Sequence, residues 1–176
     1  MLIGDRVTLR LVEEEDLVLL VRWRNTPRIW DSFFNKFPIS MGAQRDWYVQ
    51  LRQSTTCKLF MICSAPACVP VGTIGLDHID FVNRSVELGG VLIGEDADIS
   101  KGYAKEALRL LLEYCFMRLN LHRVYAHIYV HNEPSVGLFR RSGFEDEGRL
   151  REARFDRGAY RDVLVMSILA SEYESA

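Results

Sequence analysis

The fold of this chain is decided by the stretch Ile99-Ser100-Lys101-Gly102-Tyr103-Ala104. A strand pattern over residues 85–93 ends just before it, and an amphipathic helix pattern with i, i+3, i+4, i+7 apolar spacing begins inside it. Gly102 permits a tight turn, and Lys101 adds positive charge to a helix start that already favours anions. The stretch therefore predicts a phosphate-binding helix start, although a capped helix with solvated lysines is the commoner meaning of Lys-Gly alone.

A glycine pair, Gly89-Gly90, lies inside the preceding strand pattern. Glycine weakens a strand interior, so such a pair often marks a bulge or a place where a ligand approaches the backbone. A bulged strand that leads into an anion-binding helix start is more specific than either feature by itself.

This combination resembles the GNAT N-acetyltransferases, in particular the RimJ/RimL-like branch with its polyamine and amino-sugar acetyltransferases. The family's phosphate-loop pattern, Gln/Arg-x-x-Gly-x-Gly/Ala, falls on residues 99–104, with Ile99 at the Gln/Arg position and Ser100 where this branch usually has Gly. A second family pattern, Asn-x-x-Ala/Ser-x-x-Leu-Tyr-x-x-x-Gly-Phe, falls on residues 132–144, with Phe139 at the Tyr position. The resemblance covers nearly the whole chain and is most specific over residues 85–144.

The resemblance implies an acetyl-CoA-dependent transfer to a primary amine, by direct attack in a ternary complex. It also implies an α/β (α+β) GNAT fold, a mixed and mostly antiparallel sheet with splayed central strands and about four flanking helices. By family position, backbone near the bulge and the phosphate loop holds the cofactor, with help from one asparagine and one arginine. The implied cofactor-binding residues are Val91, Leu92, Ile93, Ile99, Ser100, Lys101, Gly102, Tyr103, Ala104, Asn132 and Arg140.

The reaction needs a proton acceptor, because alkylamines with a pKa of about 10.4 are protonated at neutral pH. Glu87, beside the expected bulge, is the first candidate, and His78 on the neighbouring strand is the second. A surface Glu on an alternating strand and an ordinary His near a turn are the plain alternatives. Phe139 has no hydroxyl to protonate the departing thiolate, so water is expected to do so. His127 and His131 share no helix face and lack a completing carboxylate, so we predict no metal site.

The acceptor side is expected near Arg24 and the aromatic residues Trp30 and Phe33. Three acceptors stay open: a nucleotide-linked amino sugar, a protein N-terminal amine of the ribosomal type, and a polyamine, which requires an acidic pocket. Short resemblances at residues 22–25 and 81–83 favour the amino sugar. The departures at Ile99, Ser100 and Phe139 favour a different class, a non-catalytic acetyl-CoA-binding regulatory module, which we rank below the enzyme.

The composition fits one globular domain over residues 1–176, with 48% hydrophobic and 26% charged residues. A net charge of −2 gives no global field for nucleic acid. Four cysteines without CxxC spacing suit a reducing cytoplasm. The longest apolar runs are too short to span a bilayer and no signal peptide is visible, so we expect no membrane association. A homodimer is compatible with the sequence but is not encoded in any motif.

Alternation of apolar residues predicts strands at 7–11, 58–64, 71–81, 85–93 and 123–130, and a final hairpin of 148–155 with 160–169. Helical spacing predicts a helix from Glu13 that Pro27 closes off, and another capped by Ser40 with Trp47 and Leu51 facing inward. A last helix is expected from Asn132 to Gly143.

Overall fold

The computed structural model describes residues 1–173, and its centre is an eight-stranded sheet. The strands are β1 (Leu2–Ile3), β2 (Val7–Leu11), β3 (Lys58–Ser64), β4 (Val69–Asp80), β5 (Ser85–Ile93), β6 (Arg123–Tyr129), β7 (Glu145–Asp156) and β8 (Ala159–Leu169). The helices are α1 (Leu17–Arg24), α2 (Pro27–Trp30), α3 (Met41–Gln53), α4 (Tyr103–Met117), α5 (Glu133–Arg140) and α6 (Ala170–Tyr173). The α/β architecture with four longer flanking helices confirms the expected fold class.

The sheet runs in the order β1-β2-β3-β4-β5-β6-β8-β7, and only the β5–β6 pair is parallel. That pair is short, since it joins Ser85, Val86 and Glu87 to Arg123, Val124 and Tyr125 and then stops. Beyond Glu87 the two central strands diverge. The predicted splay is therefore confirmed, and it opens a gap in the middle of the sheet.

A bulge in β5 lies at the start of this gap. Gly75 of β4 faces Gly89, whereas Thr73 faces Leu92, so β5 contains one more residue than β4 between these two pairs. Gly90 has a φ of +62°, which L side chains rarely adopt. The Thr73 hydroxyl donates a 2.7 Å hydrogen bond to the Gly90 carbonyl and holds the distortion in place. The bulge expected from the glycine pair is confirmed.

Two apolar clusters lie on opposite faces of the sheet. Helices α4 and α5 cover one face, where Leu108, Leu111 and Cys115 of α4 are fully buried. Helices α1 and α3 cover the other face, where Trp23 and Tyr48 pack near Met61 of β3. The second cluster takes in residues of β3 and the end of β5 but none of β6 or β8. The α1/α3 face of the sheet is therefore only partly covered beside the central gap, where Phe34 packs on Tyr129 of β6, and it is called the open face below.

The structure corrects several details of the predicted elements. Trp47 does not face the core: it is 36% exposed, and α3 buries Gln44 and Tyr48 instead. The Tyr48 hydroxyl donates to Glu13, which selects this face of the helix. Pro27 starts the short helix α2 as well as ending α1, and β1 and α6 had no clear sequence signal. Within residues 1–173, no helix combines the length and apolarity needed to cross a membrane.

Candidate active site

The carboxylate of Glu87 lies between the imidazoles of His127 and His78, at the point where β5 and β6 separate. Glu87 Oε1 lies 2.9 Å from His127 Nδ1, and Glu87 Oε2 lies 3.1 Å from His78 Nδ1. The side chains of Glu87 and His127 are 22% and 30% exposed, whereas that of His78 is 73% exposed. Because Val86 and Leu88 point into the α4-side core, alternation places Glu87 on the open face. The two predicted catalytic residues therefore lie together, and His127 completes the cluster.

The backbone after the bulge borders the gap. Leu92 is buried and pairs with Thr73, and Ile93 pairs with Gly72, so both keep their β4 partners. Within the described chain, β5 has no paired strand on its β6 side beyond Glu87. Backbone groups of Val91 to Ile93 on that side are positioned to bind a ligand in the gap.

The predicted phosphate loop forms an irregular turn that leads into α4. Ser100 and Gly102 have φ values of +68° and +83°, and Gly102 is the N-cap residue just before α4. Lys101 Nζ pairs with Asp98 at 2.8 Å, which raises the pKa of the lysine. Ile99 is exposed, while Tyr103 packs against the core and Ala104 follows in the first turn. The shape of the loop thus depends on its backbone conformation and not on contacts of the side chains at positions 99 and 100.

Glu106 does not compete with an anion at this helix start. Its carboxylate accepts hydrogen bonds from the backbone amides of Asp5, at 2.6 Å, and Arg6. The Glu106 carboxylate in the first turn of α4 therefore links the helix to the β1–β2 turn through these hydrogen bonds. Arg6 also donates to the Lys101 carbonyl at 3.3 Å, which brings a further cation to the loop.

A basic cavity of about 1160 Å³ begins beside the loop and runs to the end of α5. Lys105, Arg109, Arg140 and Arg141 are among its lining residues. Arg140 Nε also donates to Asp146 at 3.2 Å, and this carboxylate raises the arginine pKa. The cavity therefore offers positive charge to phosphate groups. Arg140 lines this cavity while it remains paired with Asp146.

Asn132 is the N-cap residue of α5, and one of its side-chain atoms is used by that helix. Its Oδ1 accepts from the Ser135 amide at 3.3 Å, as an N-cap does. Its Nδ2 has no hydrogen-bond partner among residues 1–173, so a donor is left for a ligand. Phe139 is buried about two helical turns further on, with its ring 4.8 Å from that of Phe144.

A second cavity of about 580 Å³ lies on the opposite side of the bulge, between α1, α3 and strands β3 to β5. Arg24 and Phe33 line it, and the guanidinium lies 3.9 Å from the ring centroid. Burial lowers the pKa of Arg24. Lys58 and Asp77 contribute the other charges of its wall. Trp30 is absent from the residues lining this cavity, and its Nε1 is buried without a hydrogen-bond partner in the described chain.

Sequence reasoning missed three features of this site. It considered His127 only as a metal ligand, although its alternation with Arg123 and Tyr125 already placed it on one face of a strand. It gave no role to Asp77, because the pairing of Asp77 with Glu87 depends on the β4–β5 register. Trp47 is predicted to face the core but lines the second cavity.

Comparison with known proteins gives the family. The model of the acetyltransferase (GNAT) domain matches residues 6–145. Spermidine N(1)-acetyltransferase of Vibrio cholerae is 31% identical over 170 residues, which cover 97% of this chain and 96% of that protein. A Bacillus subtilis protein, YdaF, proposed to be a ribosomal N-acetyltransferase, is 30% identical over 181 residues, which cover 98% of this chain and 96% of YdaF.

The crystal structure of the Vibrio cholerae spermidine N-acetyltransferase with CoA and spermine has a TM-score of 0.89 to this fold. The two are 30% identical, and the match covers 97% of this chain and 99% of that one. The expected RimJ/RimL-like branch is not singled out by these relatives and stays a prediction.

The gap, the bulged strand, the glycine-containing helix start and the basic cavity fit a long ligand with a thiol arm and phosphate groups. Relatives that span the full length support the same conclusion. The chain belongs to the GNAT acetyltransferase family and is an acetyl-CoA-dependent N-acetyltransferase.

Proposed function

We propose that this enzyme acetylates a primary amine of a polyamine of the spermidine type. The carrying observation is the match to spermidine N-acetyltransferases in both sequence and fold, along nearly the whole chain. This proposal takes the polyamine ahead of the amino sugar and the protein N-terminus, which the sequence patterns had left open.

Carboxylates at the reaction centre support a cationic acceptor. Asp77 lines the acceptor-side cavity and is paired in register with Glu87 on the next strand. Side chains of directly paired residues lie on one face, roughly 5 Å apart at Cβ. The negative charges of Asp77 and Glu87 attract the ammonium groups of a polyamine.

The chain's own residues hold the reactants. We assign the pyrophosphate to the backbone of residues 99–104, the 3′-phosphate to Arg140, and further hydrogen bonds to Asn132 Nδ2. Backbone of Val91 to Ile93 is assigned to the pantetheine arm and the developing oxyanion. Bound acetyl-CoA supplies an acetyl thioester in the gap. The cluster around Glu87 then takes the proton that the ammonium group must lose before its nitrogen can attack.

Asp77→Asn tests the proposed acceptor site. Removing one charged partner of an ammonium group costs about 1.5 kcal/mol, so we expect the KM for spermidine to rise roughly tenfold with kcat less affected. Asp46→Asn is the control, because Asp46 is an exposed carboxylate on α3 that does not line the cavity. Initial rates of thiol release measure both values. Equal KM values in wild type and Asp77→Asn would contradict this placement of the polyamine.

A second acceptor class is favoured by one specific observation. Arg24 has no hydrogen bond or ion pair with any residue in 1–173, although it is half-buried and stacked on Phe33 in the cavity wall. A desolvated guanidinium suits an anionic group, such as the phosphate of a nucleotide-linked amino sugar. Arg24→Gln distinguishes the two classes. It should weaken an anionic acceptor roughly tenfold or more and leave spermidine unchanged or bound more tightly.

A further inference from the structure

We propose that His127 is the residue that takes the proton from the amine, and that Glu87 is its positioning residue. The proposal deepens the function of this same site. It rests on acetyl transfer to an amine and does not depend on whether that amine is a polyamine.

The hydrogen bonds of Glu87 determine which ring nitrogen of His127 carries a proton. An ionised carboxylate only accepts hydrogen bonds, and Glu87 Oε1 lies 2.9 Å from His127 Nδ1. Nδ1 must therefore carry the proton of this contact. In the neutral ring, Nε2 is then left with a lone pair and can act as a base. Both oxygens of Glu87 already face imidazoles, so the carboxylate is less available to an amine than His127 Nε2 is.

Position favours His127 over His78. The last paired residue of β6 against β5 is Tyr125, so His127 comes two residues later, on the strand that borders the gap. His78 lies on β4, on the other side of Glu87, and its side chain is 73% exposed. His127 is 30% exposed, which leaves room for access while sheltering the ring from bulk water.

The charged and titratable groups around His127 come from four strands. Glu87 contacts it from β5, and Asp77 and His78 lie beyond Glu87 on β4. Tyr125 packs edge-on, with ring centroids 5.8 Å apart, and Arg123 at the start of β6 is paired with Glu147 of β7. On β8, the residue directly opposite is the uncharged Val165. Carboxylates therefore outnumber cations around the ring.

The ammonium group gives one proton to His127 Nε2, which forms an imidazolium held by Glu87. The neutral nitrogen forms the new C–N bond with the thioester carbon, and the C–S bond breaks with its electron pair on sulfur. The nitrogen's second proton goes to the thiolate through water, since Phe139 carries no acidic group. The imidazolium then releases its proton to solvent, so the net products are the amide, the free thiol and one proton.

Four variants test the assignment with whichever amine the wild-type enzyme acetylates. We expect His127→Asn to lower kcat/KM by about 10² to 10⁴ and to remove the acidic limb of its pH profile. Glu87→Gln should lower the rate but keep a displaced limb, because the imidazole is still present. His122→Asn is the control, an exposed histidine ahead of β6, and should behave as wild type. The proposal is overturned if Glu87→Gln or His78→Asn removes the limb while His127→Asn keeps it.

A measurement without turnover separates this proposal from the polyamine assignment. Nitrogen NMR of the unliganded protein reports which ring nitrogen of His127 carries the proton in the neutral ring. We expect the Nδ1–H tautomer in the wild-type protein and loss of that preference in Glu87→Gln. The Nε2–H tautomer in the wild type would overturn the assignment, whatever amine the enzyme accepts. Failure to acetylate spermidine would overturn only the proposed acceptor.

Discussion

The left-handed backbone conformation of Gly102 shapes the predicted phosphate loop where it meets α4. Its φ of +83° costs an L side chain about 1–2 kcal/mol, and a Cβ there would lie 3.2 Å from Arg6 Nη1. Gly158 has nearly the same conformation, with a φ of +76°, but has no atom within 4 Å of a Cβ placed there. The two glycines therefore share the backbone cost, but only Gly102 lies in the predicted phosphate loop and has a close neighbour, the flexible Arg6 side chain.

Gly102→Trp is expected to abolish CoA binding, because the indole fills the approach to the helix start. Gly158→Trp should bind CoA as wild type does, while both variants lose a similar amount of thermal stability. Calorimetric titration with CoA and a thermal melt measure the two effects. Unchanged affinity in Gly102→Trp would show that the phosphates bind elsewhere.

The sequence could single out Gly102 and Glu87 as candidates because each has a local signal, a motif in one case and a place beside a glycine pair in the other. It could not pair Glu87 with His127, since that contact joins residues forty positions apart through the parallel β5–β6 register. Such contacts depend on strand order, which no local pattern contains.

Among the elements, β6, β8 and β7 are joined by a polar cluster on the open face. Arg123 of β6 forms an ion pair with Glu147 of β7, and the Ser167 hydroxyl of β8 donates to the same carboxylate at 2.7 Å. The arginine first and the serine with it lower the pKa of Glu147 to about 2. This depressed pKa means that the cluster stabilises the fold at neutral pH. The contribution is lost as the pH falls from the ordinary carboxyl range towards 2.

Glu147→Gln should therefore lower the free energy of unfolding at pH 7 by under about 1 kcal/mol, because the pair is partly exposed. As the pH falls to about 2 and below, the variant and the wild type should converge. Glu145→Gln is the matched control, an exposed carboxylate at the start of β7. Urea unfolding at several pH values measures the difference. A gap between variant and wild type that stays constant down to pH 2 would contradict the cluster.

Element boundaries followed the sequence wherever apolar alternation was regular, as in β2, β3 and β5. The buried face of α3 did not, because Trp47 and Leu51 border the acceptor-side cavity instead of the core. Helical periodicity marks an apolar face but does not distinguish a core from a binding cavity. The same ambiguity applies to the predicted aromatic residues of the acceptor side, since Phe33 lines that cavity and Trp30 does not.

For the whole molecule, one buried cysteine lies on each side of the sheet. Cys63 belongs to the α1/α3 cluster and Cys115 to the α4/α5 cluster. Burial raises the pKa of each thiol to about 12, so neither forms a reactive thiolate near neutral pH. The two thiols therefore report on the opening of the two faces separately.

A single domain over residues 1–176 predicts that both thiols become reactive together. In variants that keep only Cys63 or only Cys115, labelling by an aromatic disulfide across a urea series should show one shared midpoint. A variant that keeps only exposed Cys68 is the control and should react without denaturant. Separate midpoints for Cys63 and Cys115 would divide the chain into two independently unfolding parts.

The most direct test of the proposed acceptor is a competition measured by mass spectrometry. The purified enzyme receives acetyl-CoA with equal concentrations of spermidine, a 4-amino-sugar nucleotide and a peptide with an N-terminal alanine. We predict that acetylspermidine forms first and that the other two amines remain unmodified while spermidine lasts. Acetylation of the sugar nucleotide or the peptide ahead of spermidine would contradict the proposed function and assign the site to that acceptor.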